Sequence, residues 1–270
     1  MRERFDSEYI HSELKRIGNH LETPLTVYLI GGGSMAFRNL KETTKDIDLV
    51  VTDGDALQRL QVALLDCGYE VIKDPSEEYH ELGAQRILEN ADGCRIDVFN
   101  QKVVDKLVLS EGMRERSVTH LEAGELTVAL VSTEDVFLFK SVAGRTDDID
   151  DMFTLVQTGL DFDIVEAELE QQIDLLGQEL FVSYVNEALM SLDERHNITT
   201  PLFDPVSKIT QRVYREIEVF HAFDDAIPRS ELHERVALSP DEVDEAIQSL
   251  ESKDAVAIKN DEIIEKSETL

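Results

Sequence analysis

The stretch from residue 29 to 51, LIGGGSMAFRNLKETTKDIDLVV, constrains the fold most, because three consecutive glycines separate two apolar runs. The run LTVYLI, residues 25–30, predicts a buried strand that the glycines end. Residues 34–40 predict a short helix, and DIDLVV, residues 46–51, predicts a second strand. This order predicts an α/β fold with a mixed sheet and flanking helices.

The glycine run predicts a site for phosphate oxygens. Glycines let backbone N–H groups approach a ligand closely, and the helix that follows adds its positive end. Gly32, Gly33 and the hydroxyl of Ser34 are the candidate phosphate contacts. The stretch is neither a Walker loop nor a dinucleotide fingerprint, because neither glycine spacing is present.

Three aspartates are the candidate metal ligands and catalytic residues. Asp46 and Asp48 alternate along one predicted strand, so both carboxylates face the same side. Two carboxylates repel each other unless a cation lies between them, and Mg²⁺ favours a few carboxylates together with substrate phosphates. Asp97, on the later strand CRIDVFN of residues 94–100, is the candidate third carboxylate of a two-metal site.

This set of residues resembles the nucleotidyltransferase superfamily of DNA polymerase beta type, and the minimal nucleotidyltransferases in particular. The resemblance covers residues 25–160. It implies that Gly32, Gly33 and Ser34 hold the triphosphate of an NTP and that Asp46 and Asp48 bind two Mg²⁺ ions. It also implies that Asp97 helps to bind metal and activates an acceptor hydroxyl.

A second stretch, FKSVAGRTDDIDD from residue 139, is similar to the AbiEii-like nucleotidyltransferases, which include toxins. That resemblance implies nucleotide contacts from Lys140, Arg145 and Asp148, and Asp151 also matches. Asp147 stands where that family usually has a lysine.

Ordinary structural roles are the alternatives. The glycines fit a plain strand-to-helix turn. Asp46 and Asp48 could be surface acids of a very acidic protein, and Asp97 could be a hydrogen-bonded acid at a strand end. Lys140 could pair with Asp148, and the acids from 147 to 151 could form a solvated helix start.

The net charge of −31, from 57 acidic and 26 basic residues, predicts a folded protein with an acidic coat, as in an extreme halophile. The charge argues against broad affinity for nucleic acid at ordinary salt. Cys67 and Cys94 predict free buried thiols, and the absence of a long apolar run predicts a cytoplasmic protein without a membrane segment.

The chain predicts a nucleotidyltransferase domain at 1–160, a helical segment at 161–206 and a small winged helix-turn-helix module at 207–270. Ser239, Pro240 and Glu242 form a helix-start signal there. The predicted helix 239–253 is acidic, so we expect contact with protein or a homodimer interface rather than DNA at low salt.

The expected reaction is Mg²⁺-dependent transfer of a nucleotidyl group from an NTP to an acceptor hydroxyl. The sequence does not identify the acceptor, and tRNA and protein are two candidates. A catalytically degenerate nucleotide-binding regulator and a toxin–antitoxin component are the alternatives.

Overall fold

A mixed sheet forms the centre of the N-terminal part of the chain. The computed structural model describes residues 3–72, 84–104, 106–222, 226–259 and 262–266. Within these ranges seven strands form one sheet, in the spatial order Glu70–Val71 (β3), Arg86–Glu89 (β4), Arg95–Asn100 (β5), Asp46–Val51 (β2), Leu25–Leu29 (β1), Leu126–Leu130 (β9) and Val118–Ala123 (β8). Strand β1 pairs parallel with β9 and β2 parallel with β5, whereas the other pairings are antiparallel. The predicted mixed-sheet α/β core is therefore confirmed.

The strands are numbered in chain order. A separate two-stranded pair is formed by Lys102–Val103 (β6) and Leu107–Val108 (β7).

Helices flank the sheet. In the same part of the chain they are Ser7–Gly18 (α1), Gly31–Ala36 (α2), Gly54–Asp66 (α3), Glu111–Arg116 (α4), Thr133–Ala143 (α5), Thr146–Val156 (α6), Phe162–Leu176 (α7) and Val182–His196 (α8). Helix α5 packs against α2, α6, α7 and α8. The chain divides into two compact units, residues 1–203 and 204–270, and the three-part division predicted from sequence stays a prediction.

The main core lies where α1 and α3 meet one face of the sheet. Ile10, Leu14 and Ile17 recur at helical spacing on α1 and are fully buried. Ile47 and Leu49 of β2 enter the same cluster. Because side chains alternate along a strand, this packing leaves the aspartates of β2 on the opposite face.

The predicted start of the helix after the glycines is wrong. The expected helix covered residues 34–40, but α2 is Gly31–Ala36, so the glycines form its first turn. Tertiary packing explains the difference: a Cβ on Gly31 would lie 2.1 Å from the Asp48 carboxylate, so only glycine fits this turn.

Two further boundaries differ from expectation. Strand β8 was not predicted, because only Leu121 of its six residues is buried and the strand lies at the sheet edge. The stretch YEVIK, residues 69–73, also predicts a strand; the structure has a strand at Glu70–Val71, and residue 73 lies outside the described residues. Cys67 and Cys94 are free and buried, as predicted.

The second unit contains helices and a three-stranded sheet of order β10-β12-β11. Its elements are Phe203–Phe220 (α9), which begins at the boundary, Ala226–Pro228 (β10), Arg229–Arg235 (α10), Pro240–Ser252 (α11), Val256–Lys259 (β11) and Glu262–Glu265 (β12). The predicted capping box between Ser239 and Glu242 is confirmed. The winged-helix module stays a prediction. The stretch AVAIKNDEIIEK, residues 255–266, predicts a hairpin in this module, and its turn at 260–261 lies outside the described residues.

Every helix in the described part of the chain is too short or too polar to span a bilayer.

Candidate active site

A pocket of about 530 Å³ opens at the N-terminal end of β2. Asp46 and Asp48 both line it, as expected for alternate residues of one strand. The remaining lining residues come from the N-terminal segment, α2, the α2–β2 connection, α5, the α5–α6 turn and α6: Arg4, Gly32, Lys41, Thr44, Lys45, Lys140, Gly144, Arg145, Thr146, Asp147, Asp148 and Asp151.

Asp97 shares a sheet position with Asp48. The parallel register of β2 and β5 pairs Asp48 with Asp97 directly, so both side chains leave the same face of the sheet. Asp97 is fully buried and does not belong to the pocket lining. Within the described ranges no group of three His, Cys, Asp or Glu residues is arranged to hold a metal ion. The structure therefore brings Asp46 and Asp48 into the pocket, with Asp97 behind them.

The Asp48 carboxyl is unusually hard to ionise. Burial raises its pKa, and the nearby charge of Asp46 raises it further, whereas Arg145 and Lys140 lower it. The net result is a pKa of about 7, against an ordinary value of 3.8. A carboxylate held beside another in a partly dry site gains most from an added cation.

The glycine turn supports this carboxylate pair. Gly31 has a φ of 60°, in the left-handed region, and lies against Asp48. Gly32 lines the pocket and lies so close to Thr44 that a Cβ would be 2.5 Å from the threonine hydroxyl. The turn thus packs tightly against both the β2 aspartate and the α2–β2 connection.

The structure places the other two predicted residues of the turn away from the pocket surface. Gly33 and Ser34 are buried in α2 and are not part of the lining. Arg38 donates hydrogen bonds to the Ser34 hydroxyl and to the Ser34 carbonyl oxygen. Triphosphate contact by Gly33 and Ser34 stays a prediction.

Lys140 lies at the inner wall of the pocket. It projects from α5, and its Nζ lies 2.6 Å from Asp148 Oδ1 and 2.8 Å from Asp151 Oδ2. Burial lowers the pKa of Lys140, but the two carboxylates outweigh it and the pKa ends above its ordinary value. Lys140 therefore stays positively charged. Its pairing with Asp148, one of the alternatives predicted from the sequence, is present.

Arg145 and Asp148 cap the start of α6. The Arg145 backbone N–H donates to Asp148 Oδ2, and its Nε donates to the same oxygen at 2.8 Å. Asp148 is buried, which raises its pKa, but Lys140 and Arg145 outweigh burial and hold the pKa at about 2. The predicted residues Lys140, Arg145 and Asp148 are thus brought together on one pocket wall.

Three basic residues of the pocket were missed by sequence reasoning. Lys41 donates to both carboxylate oxygens of Asp151, at 2.7 and 2.6 Å. Arg4 and Lys45 complete the set. The signal that could have found Lys41 and Lys45 is the concentration of lysine just before Asp46 in an otherwise acidic chain. Nothing local pointed to Arg4, which reaches the pocket through tertiary structure.

Asp147, which replaces the lysine of the AbiEii-like pattern, contacts a lysine instead. Lys45 Nζ lies 3.2 Å from Asp147 Oδ2, and both side chains are partly exposed. This lysine lowers the pKa of Asp147 below its ordinary value. A cation is therefore present at this point of the wall, but it comes from the residue before β2.

Comparison with known proteins gives one family. The family model described as "Nucleotidyltransferase of unknown function (DUF6036)" matches residues 8–187, which include the whole sheet and every pocket residue except Arg4. No curated protein matches the chain.

Proposed function

The chain belongs to this family of nucleotidyltransferases of unknown function, and we propose that it transfers a nucleotidyl group from an NTP to an acceptor hydroxyl with the help of Mg²⁺. In this reaction the acceptor oxygen forms a bond to the α-phosphorus. The bond from that phosphorus to the bridging oxygen breaks, pyrophosphate leaves, and the hydroxyl proton passes to a base.

The observation that carries the proposal is the position of Asp46 and Asp48. Both carboxylates line one pocket together with Lys140 and Arg145. Carboxylates suit a divalent cation, whereas the ammonium and guanidinium suit phosphate oxygens. A magnesium complex of a triphosphate presents both kinds of partner at once.

The donor set fits Mg²⁺. This ion is usually held by one or two carboxylates with substrate phosphates and water, and Asp46 and Asp48 supply that number. Burial, and after it the charge of Asp46, raises the pKa of Asp48, so a cation bound here would stabilise the ionised carboxylate. When bound, Mg²⁺ would neutralise charge on the phosphates and orient the α-phosphorus for attack. A second ion and Asp97 as its ligand remain part of the proposal.

The residues of the chain act on both substrates. Gly32, at the start of α2, would lie beside the triphosphate, and Lys140 would place a fixed positive charge nearby. Asp97, on the same sheet face as Asp48, is the proposed base for the acceptor proton; because it is buried outside the present lining, the acceptor hydroxyl must enter beyond that lining to reach it. Fixed charges of this kind stabilise charge that develops at the reacting phosphate without reorganisation.

The experiment is isothermal titration of each of the four NTPs, with and without Mg²⁺, in low salt and again in molar KCl. The variants are Asp48→Asn and, as a matched control, Asp174→Asn, an exposed aspartate on α7. We expect Mg²⁺-dependent binding by wild type and by the control, and at least a tenfold loss in Asp48→Asn, since losing one charged ligand costs more than about 1.4 kcal/mol.

Binding without any need for Mg²⁺, or equal binding by Asp48→Asn and the control, would contradict the placement of the nucleotide on this carboxylate pair. Absence of binding to all four NTPs in wild type would favour a degenerate regulatory protein.

A further inference from the structure

The N-terminal segment is attached to the pocket by a short antiparallel bridge. Phe5 and Thr44 exchange backbone hydrogen bonds, from Phe5 N to Thr44 O at 2.8 Å and from Thr44 N to Phe5 O at 2.9 Å. In this register Arg4 lies level with Lys45, and both line the pocket. Two cations that are far apart in sequence are therefore placed side by side at one edge.

The hydrogen bonds that Arg4 makes do not neutralise its positive charge. Its partners within the described ranges are the Thr43 hydroxyl, at 2.9 Å from Nε, and the Thr43 carbonyl oxygen, at 3.3 Å from Nη2. Both partners are neutral. A guanidinium carries five N–H donors, so donors remain for a ligand. The exposed side chain of Arg4 lies at the pocket rim.

The pairing of Lys45 is weak by comparison with the inner wall. Its contact with Asp147 is 3.2 Å long, and the two side chains are 43% and 68% exposed. Ion pairs this exposed contribute about 0–1 kcal/mol, so a ligand could replace Asp147 easily.

Lys140 and Lys41, on the inner wall of the pocket, are paired with acids more tightly than Lys45 is. Lys140 lies 2.6 Å from Asp148, and Lys41 lies 2.6 Å from Asp151, with all four side chains largely buried. Like charges that face each other across paired strands are destabilising. Arg4 and Lys45 lie side by side, and Asp147, the acid that contacts Lys45, is largely exposed, so an anion that contacts both cations would stabilise their placement.

We propose that Arg4 and Lys45 form an anion subsite that binds a phosphate group of the acceptor, so that the acceptor is a phosphorylated molecule with a free hydroxyl. This inference rests on the proposed transfer reaction. The nucleotide occupies the inner wall with Asp46 and Asp48, and the acceptor phosphate contacts the rim. Only one or two phosphates are recognised, because the acidic surface repels a long polyanion.

The test measures two binding reactions separately by isothermal titration in low salt. One titrant is Mg²⁺ with the NTP that binds best, or ATP if none does. The others are ribose 5-phosphate and a ribotrinucleotide with a free 3′ hydroxyl, which present phosphate as a small monoester or in a short strand. The variant is Arg4→Gln with Lys45→Gln. The matched control is Lys15→Gln with Arg86→Gln, two exposed cations outside the pocket lining.

We expect at least one phosphate titrant to bind wild type and the control equally. The double variant should bind it on the order of ten- to a hundredfold more weakly, as for the loss of one or two charge-assisted contacts. Its affinity for the nucleotide should change less than about threefold, within the range of screened surface charges. The swap of Arg4→Lys with Lys45→Arg should restore most of the affinity. Comparison of the affinities for the trinucleotide and the monoester then distinguishes an acceptor that is the end of a nucleic-acid strand from a small-molecule acceptor.

Equal phosphate binding by the double variant and the control overturns the subsite. So does failure of wild type to bind either phosphate titrant, or an equal loss of nucleotide and phosphate affinity, which would assign Arg4 and Lys45 to the nucleotide. Failure of nucleotide binding alone, with phosphate binding intact and sensitive to the variant, rejects the proposed function and leaves the anion subsite standing. Thermal unfolding of each variant checks that the fold is retained.

Discussion

Asp48 lies directly opposite Asp97 in the parallel pairing of β2 with β5. The pairing places two acidic side chains on the sheet face that does not pack against α1 and α3. Asp46, two positions before Asp48 on the same strand, adds a third acidic side chain. Acids concentrated on one face of a buried sheet are costly unless they serve a charge partner, which makes this relationship the structural basis of the proposed reaction.

Gly31→Ala should damage both stability and nucleotide binding. The added Cβ would lie 2.1 Å from Asp48 Oδ2, and the residue has a positive φ. We expect a loss of more than about 2 kcal/mol in the free energy of unfolding, measured in urea, and weaker Mg²⁺–NTP binding.

Two other glycines separate the causes. Gly159→Ala shares the positive φ but meets nothing within 4 Å, and Gly54→Ala at the start of α3 has neither problem. Gly159→Ala should lose about 1 kcal/mol and Gly54→Ala close to none, with nucleotide binding intact in both. Equal losses for Gly31→Ala and Gly159→Ala would mean that Asp48 moves aside freely.

Asp48→Asn should stabilise the metal-free protein at high pH. The folded pKa of about 7 exceeds the ordinary 3.8, so below pH 3.8 both states are protonated and the aspartate carries no penalty. Between pH 3.8 and 7 the unfolded state ionises this aspartate while the folded state keeps it protonated, so stability falls by an amount on the order of a few kcal/mol, and the loss is complete once the pH exceeds about 7. Asparagine avoids this loss.

Urea unfolding in EDTA at pH 5 and pH 8 measures the effect. The advantage of Asp48→Asn over wild type should be larger at pH 8, and adding Mg²⁺ should reduce it. The exposed control Asp174→Asn should match wild type at both pH values. A variant less stable than wild type at pH 8 without metal would show that the Asp48 charge is already compensated.

Substitutions of the two neighbouring aspartates Asp147 and Asp148 of α6 should have very different effects on the free energy of unfolding. Asp148→Asn removes the buried partner of Lys140 and should cost about 3–5 kcal/mol at neutral pH, whereas Asp147→Asn removes an exposed pair and should cost less than about 1 kcal/mol. Because the folded pKa of Asp148 is about 2 and the ordinary value is 3.8, its contribution is present above pH 3.8 and disappears as pH falls toward 2.

Unfolding curves for the two variants between pH 2 and pH 7 measure this difference. Similar losses at pH 7 would indicate that water enters beside Lys140 and replaces the carboxylate. A loss for Asp148→Asn that persists unchanged at pH 2 would point to packing rather than charge.

The second unit should not bind duplex DNA at low salt. Helix α11 is acidic, and the nearby arginines pair with it: Arg215 lies 3.0 Å from Glu242, and Arg229 contacts Asp244. Charges already paired within the unit release no counterions from DNA. Fluorescence anisotropy with a labelled duplex in 50 mM salt checks this, and saturable binding that Arg215→Gln abolishes would restore a DNA-reading role.

The strands that carry the aspartates could be predicted from sequence because their signals are local. Ile47 and Leu49 alternate with Asp46 and Asp48, and this pattern fixes which face is buried. Chain order and spacing then pointed to Asp97. The capping signal at Ser239 likewise predicted a helix start correctly, since a cap depends on residues within one turn.

The remainder of the pocket depends on contacts between distant residues. Lys41 meets Asp151, which lies 110 positions later, and Arg4 reaches the rim only through the Phe5–Thr44 bridge. No local pattern encodes such pairs. The tight contact of Gly31 with Asp48, which requires glycine at the start of α2, could not be predicted for the same reason.

The most direct test of nucleotidyl transfer compares NTPs labelled at the α- or the γ-phosphate. Wild type, Asp48→Asn and Asp174→Asn are incubated with Mg²⁺ and total cellular RNA or protein, and label is measured in each fraction after separation. We predict incorporation from the α-labelled NTP alone, with release of pyrophosphate, in wild type and Asp174→Asn but not in Asp48→Asn. Incorporation from the γ-labelled NTP, or equal α-label transfer by Asp48→Asn, would contradict the account.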